Sequence, residues 1–145
     1  MKRKVLSVHA VVAALLIMLI SPVGLSRAGA DDSAALLEGK VFVGHTGPLH
    51  GTGVDGEDEI IFRNGRFRST ACDTWGFDSP TYTATRDGDR IRFQAVTNSP
   101  KHGRIQWQGV MSGDRLEATY LWTKARWYWF DAREERRFEG RIKPD

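Results

Sequence analysis

The only cysteine of this 145-residue chain is Cys72, and a thiol can act as a nucleophile or as a metal ligand. Its neighbours favour neither role, because Asp73 would raise the pKa of the thiol and no CxxC partner is present. We therefore predict a small, partly buried apolar residue that Trp75 and Phe77 shield from solvent. The alternatives are an intermolecular disulfide, a redox-sensing thiol and a metal ligand.

Three histidines, His45, His50 and His102, lie in or beside segments rich in glycine and proline that we interpret as loops. If these loops surround one end of the fold, two histidines and Cys72 could bind zinc or copper. The spacing of His45 and His50 matches no metal-binding motif, so we interpret the histidines as solvated loop residues.

A dense acidic run, Asp-Gly-Glu-Asp-Glu at 55–59, precedes an apolar stretch. Carboxylate oxygens are the ligands that calcium prefers, but the run lacks the spacing of an EF-hand loop. We therefore interpret it as a solvated, charged loop.

Residues 1–30 have the features of a secretory signal peptide. A positively charged start precedes an apolar run at 10–20, and Ala-Gly-Ala at 28–30 matches a cleavage pattern. The run is short for a membrane span, which needs about 20 residues. We therefore predict cleavage, export to the periplasm or beyond, and a mature domain at 31–145 that has no stable membrane span.

The mature chain is close to neutral. Four of the 21 basic residues and none of the 18 acidic residues lie in the leader, which leaves 17 basic and 18 acidic residues. The basic character of the whole chain therefore belongs to the targeting segment. A basic footprint for nucleic acid is absent, and we predict no nucleic-acid partner.

Three hairpins are predicted from turn motifs between runs of alternating apolar and polar residues. Asn-Gly at 64–65 favours a type I′ turn, which places Phe62 opposite Phe67. Asp-Gly at 87–88 and Ser-Gly-Asp at 112–114 join two further pairs of strands.

About eight strands result, with a first strand at 40–46, a last one at 136–142 and a short helical turn over 32–38. A meander of this length avoids exposed edges most simply by closing on itself. We predict an all-β fold, a single antiparallel up-and-down barrel of about eight strands. A two-sheet sandwich is the alternative, although its crossings would need longer connections.

Small residues are predicted at inward positions of this barrel: Ala84, Ala95, Gly109, Ala118 and Gly140. They either receive large neighbours such as Trp107 or leave a hollow. Since protein interiors are close-packed, filling is the default prediction. A cavity for one apolar molecule follows if Trp107 does not reach across the barrel.

The hairpin order, the size and the leader resemble the lipocalin-like (calycin) barrels. A closer resemblance, to small exported bacterial proteins of unassigned activity, is carried by Phe62-x-Asn64-Gly65-x-Phe67, Cys72-x-x-x-Gly76-Phe77, Tyr82, and Trp107-x-Gly109 through Trp122. The calycin resemblance implies binding of a small apolar ligand by analogy of fold. Neither resemblance implies catalytic residues.

Four consecutive aromatic residues at 127–130 occupy both faces of any strand, so a strand with one buried face cannot hide them all. They are predicted to pack as plugs at a barrel end, or alternatively to line a pocket mouth or contact a partner. Core packing is the default.

These features favour a non-enzymatic binding module that takes a small apolar or aromatic ligand at the barrel mouth. The predicted ligand-binding residues are all aromatic: Trp107, Tyr120, Trp122, Trp127 and Trp129. One alternative is a thiol or metal site for redox or metal sensing, formed by Cys72 with His45, His50 or His102. Another is an envelope interaction or inhibitor protein that uses the aromatic run. No catalytic constellation and no cofactor is predicted.

Overall fold

The computed structural model describes residues 34–144, and the leader predicted at 1–30 lies outside this range. Eight strands form one antiparallel sheet in the order β3-β2-β1-β8-β7-β6-β5-β4. Their bounds are β1 Val41–Pro48, β2 Gly56–Arg63, β3 Arg66–Ser69, β4 Tyr82–Asp87, β5 Arg90–Ser99, β6 Gly103–Ser112, β7 Arg115–Lys124 and β8 Ala132–Ile142. Within the described range, no helix has the length and apolar character that a membrane crossing requires.

The sheet curls into a nearly closed barrel. Its two edge strands, β3 and β4, meet through a bridge between Arg66 and Thr81, and the Phe67 N–H donates to the Pro80 carbonyl at 2.9 Å. The other seven strand pairs are hydrogen-bonded ladders, so within the described residues the barrel is incompletely closed at the seam between β3 and β4 alone. The predicted all-β, up-and-down barrel of eight strands is confirmed.

The first hairpin has the predicted register, with Phe62 opposite Phe67. Asn64 and Gly65 both have positive φ, 55° and 67°, as a type I′ turn requires. The Glu38 carboxylate accepts the N–H groups of both turn residues, at 2.6 and 3.0 Å, and these two bonds lower its pKa. A short helical turn at the start of the described chain thereby closes this end of the barrel, where Leu37 is fully buried.

Aromatic rings fill the barrel interior. Phe62 packs edge-on against four of them: Phe42, Phe67, Tyr82 and Phe93, with centroids 4.9–6.2 Å apart. Trp107, from β6, reaches across to Phe67 of β3 at 5.2 Å. The condition for a hollow barrel is therefore not met at this level.

The inward glycines receive large neighbours. A Cβ added to Gly109 would clash with the Phe93 ring, and one added to Gly140 would lie 2.5 Å from the Phe138 ring. The three inward alanines are buried as well. Small residues at these positions therefore make room for phenylalanine rings, as close packing predicts.

Two elements differ from the prediction. The last strand begins at Ala132 instead of 136, because its charged residues continue the ladder with β7 and pair along one face, as Arg133 does with Glu135 at 2.7 Å. A 3₁₀ helix, Thr70–Trp75, follows β3 and ends at Gly76 with φ 67°. Its short length gives no helical period in the sequence.

Candidate functional site

The predicted site residues lie mostly at one end of the barrel, opposite the end closed by Leu37. We call it the loop end, and it comprises the β1–β2 loop, the 3₁₀ helix, the β5–β6 turn and the β7–β8 loop. These segments are joined to one another: Ser99 Oγ donates to the Trp75 carbonyl at 2.7 Å, and Trp122 Nε1 donates to the His102 carbonyl at 2.7 Å. The Leu49 N–H also donates to the Glu135 carbonyl in β8 at 3.3 Å.

A buried carboxylate accepts hydrogen bonds from residues at the start of the 3₁₀ helix. Asp58 accepts hydrogen bonds from Ser69 Oγ at 2.6 Å, Thr70 Oγ1 at 3.2 Å and the Ala71 N–H at 2.9 Å. Burial raises its pKa, while these bonds act in the opposite direction. The interpretation of 55–59 as a solvated loop is wrong for Asp58, because β2 begins at Gly56 and its alternation turns this side chain inward.

The Cys72 thiol lies in the 3₁₀ helix, packed against the core and 3.2 Å from Ser69 Oγ. Burial raises the pKa of the thiol to about 11, and the charges of Asp58 and Asp73 act in the same direction. At neutral pH the sulfur is therefore protonated, which disfavours attack on electrophiles and binding of metals. The geometry matches that of a small, partly buried apolar residue.

Trp107 and Tyr120 form the interior floor of the loop end. Their rings stack with centroids 4.2 Å apart, and Trp107 Nε1 donates to Thr97 Oγ1 at 3.3 Å. The Tyr120 hydroxyl accepts a hydrogen bond from Arg136 Nε at 3.1 Å, and burial raises the pKa of the tyrosine. Arg136 is held in turn by Asp55 and by Glu134. This chain of contacts occupies the barrel mouth with side chains.

The three histidines are placed apart. His45 is exposed on the outer face of β1, opposite Glu57 and Glu139 in register, and His50 is exposed in the β1–β2 loop. His102 is half-buried, with its ring 5.1 Å from that of Trp75. Within residues 34–144, no group of three or more His, Cys, Asp or Glu side chains is arranged to hold a metal ion.

The aromatic run projects into solvent. We define the aromatic loop as residues 125–131, between β7 and β8. The exposed fractions of its rings are 95% for Trp127, 66% for Tyr128, 70% for Trp129 and 84% for Phe130. The default prediction of core packing is wrong, because the β7–β8 ladder extends to Lys124 and Ala132 and the loop begins beyond it. The stacked rings of Trp107 and Tyr120 occupy the interior at this end of the barrel instead.

Two grooves that the sequence did not indicate lie on the outer face of the sheet, on either side of Leu49. They are lined mainly by polar, outward side chains such as Gln94, Gln108 and Thr119. The larger has a volume of about 730 Å³. The alternation along the strands predicts that these side chains point outward. The sequence does not predict that the β1–β2 loop folds over them.

No protein-family model, no curated protein and no solved structure matches this chain. The structure itself defines the class: an antiparallel eight-stranded barrel with an aromatic-filled interior and one exposed aromatic loop. Its strand number, order and near closure are compatible with a lipocalin-like fold.

Replacing Asp58 with alanine is expected to release the 3₁₀ helix and expose the thiol. The change leaves the buried Ser69 hydroxyl without its acceptor, at a cost of about 1–3 kcal/mol, and also removes the acceptor of the Ala71 N–H. We expect Cys72 of the variant to react at least several-fold faster than that of the wild type with a thiol reagent at neutral pH. Asp87→Ala, at an exposed carboxylate, is the control. If Cys72 reacts at the same rate in the wild type, Asp58→Ala and Asp87→Ala, the claim that Asp58 holds the 3₁₀ helix over the thiol is wrong.

Proposed function

We propose that the mature chain is an exported, non-enzymatic interaction protein that binds a component of the cell envelope through the aromatic loop. The observation that supports this proposal is the exposure of four consecutive aromatic side chains, each at least 66% accessible. Large exposed apolar patches on a monomer mark interaction sites, and tryptophan and tyrosine dominate the binding energy of such sites.

The interior contacts favour this proposal over a ligand held inside the barrel. Of the five aromatic residues predicted to bind a ligand, Trp107 is only 3% exposed and stacks on Tyr120. Trp122 is partly buried and its Nε1 is already bonded to the protein. Trp127 and Trp129 alone present their rings to an incoming partner.

The β7–β8 ladder holds both ends of the aromatic loop in place. The β7–β8 ladder continues in register up to Lys124 and Ala132, the residues that flank the loop. Inside the loop, the Arg126 N–H donates to Asp131 Oδ1 at 3.3 Å. Restraining both ends reduces the entropy lost when the rings are immobilised against a partner. The lipocalin-like barrel then acts as a scaffold and not as a container.

Truncating both loop tryptophans tests the proposal. We expect Trp127→Ala/Trp129→Ala to weaken sedimentation with isolated bacterial envelope fragments by about tenfold or more, because truncating an aromatic anchor costs more than about 1 kcal/mol and a total of about 1.4 kcal/mol is already tenfold. Stability should change by less than about 0.5 kcal/mol, since both side chains are exposed. The matched control is Val43→Ala, which shortens an exposed apolar side chain of β1 outside the loop end. If the double tryptophan variant binds the envelope fragments as strongly as the wild type does, the proposal is refuted.

A further inference from the structure

Four basic side chains surround the aromatic loop. Lys124 and Arg126 lie at its first end, and Lys101 and Arg104 come from the neighbouring β5–β6 turn and the start of β6. The register of β6 and β7 places Arg104 opposite Thr123, the residue before Lys124. None of the ion pairs formed within residues 34–144 includes any of the four. Their charges are therefore free to attract an external anion.

Fewer carboxylates than cations are left without an ion pair in this part of the described chain. Asp78 and Asp131 line the groove between the loop and the β5–β6 turn, and each accepts a backbone N–H. At the start of β8, Glu134 and Glu135 pair with arginines of their own strand. A chain whose mature part has a nearly balanced charge thus carries a local excess of cations around its exposed rings.

We propose that the loop end docks on a membrane surface rich in anionic lipid, an inference that rests on the proposed function and names its partner. Tryptophan and tyrosine favour the headgroup region of a bilayer, because one side of each ring is apolar and the other carries a polar group. Basic residues close to the surface are attracted by lipid phosphates. The aromatic loop supplies the first of these features and the four cations supply the second.

Charge complementarity and shape favour lipid over a protein partner. The rings of Trp127 and Trp129 project from a loop tip instead of lining a concave pocket. A protein partner would need a matching cavity for them, whereas a headgroup layer deforms around inserted rings. The arrangement also predicts adsorption at the surface, with the barrel itself remaining in water.

Vesicle sedimentation tests the inference with the full mature chain. Vesicles of phosphatidylglycerol and phosphatidylethanolamine in equal parts should bind the protein, and vesicles of phosphatidylcholine alone should bind it about tenfold or more weakly. Lys124→Gln/Arg126→Gln should weaken binding to the anionic vesicles about tenfold or more, since each basic residue contributes about fivefold. Arg86→Gln/Arg90→Gln, which removes two charges at the opposite end of the barrel, should have no such effect. Trp127→Ala/Trp129→Ala should weaken binding to the anionic vesicles to a similar degree as Lys124→Gln/Arg126→Gln.

The outcomes separate the two proposals. Failure of the wild type to bind anionic vesicles, with retained loop-dependent binding to envelope fragments, would overturn the lipid partner and leave the proposed function standing, with a protein or polysaccharide as the partner. Loss of both kinds of binding would overturn both proposals. Vesicle binding that does not depend on Trp127 and Trp129, or that is equal for the two pairs of charge variants, would show nonspecific adsorption and overturn the inference.

Discussion

Replacing Phe62 with alanine is expected to lower the free energy of unfolding by about 3–5 kcal/mol, the range found when a buried phenylalanine is truncated. Phe62 is fully buried and contacts the rings of β1, β3, β4 and β5, so the resulting cavity cannot be closed by one neighbour moving. Denaturant unfolding followed by circular dichroism measures the change.

The same substitution on the aromatic loop is the control. Phe130 is 84% exposed, and Phe130→Ala should change the free energy of unfolding by less than about 0.5 kcal/mol. A comparable loss in both variants would mean that the loop is part of the core. A small loss for Phe62→Ala would mean that the barrel does not close around this ring.

Replacing Trp107 with alanine is expected to create an apolar cavity that the wild type lacks. The variant should lose about 3–5 kcal/mol of stability, because Trp107 links Phe67 to Tyr120 and is nearly fully buried. Added indole should restore part of this loss in proportion to the logarithm of its concentration, as expected for a ligand that binds only the folded state.

The wild type and Trp127→Ala serve as controls for indole, and neither should be stabilised because their interiors are filled. Thermal unfolding at several indole concentrations distinguishes the cases. Stabilisation of the wild type equal to that of Trp107→Ala would show that the native barrel is hollow. Binding of a small apolar ligand inside the barrel would then regain support.

Much of the barrel could be predicted from local signals. Asn64-Gly65 specified its turn, the register and the facing pair Phe62 and Phe67, because a type I′ turn admits few residues. Alternation along β5, β6 and β7 identified the inward residues, including Gly109. These features depend on neighbours within a hairpin, so a single sequence contains them.

The candidate site depended on long-range contacts, and the sequence was less informative there. Asp58 is read as a loop carboxylate until the Ser69 and Thr70 hydroxyls, 11 and 12 residues away, are known to face it. The aromatic run looked like a barrel plug because nothing local reveals that Trp107 and Tyr120 already fill the mouth. The correct signal was its position beyond the last ladder pair, which became visible only when β8 was found to begin at Ala132.

Hydrogen–deuterium exchange of the wild-type chain over residues 31–145, with and without isolated envelope fragments, tests most directly the claim that the aromatic loop is the binding element. Backbone amides of residues 124–131 should exchange more slowly in the bound state, with a smaller effect at 101–104. Exchange of the other backbone amides of β5 and β6 should be unchanged. Slower exchange confined to those strands, with unaltered exchange of the aromatic-loop amides in the bound protein, would contradict the claim.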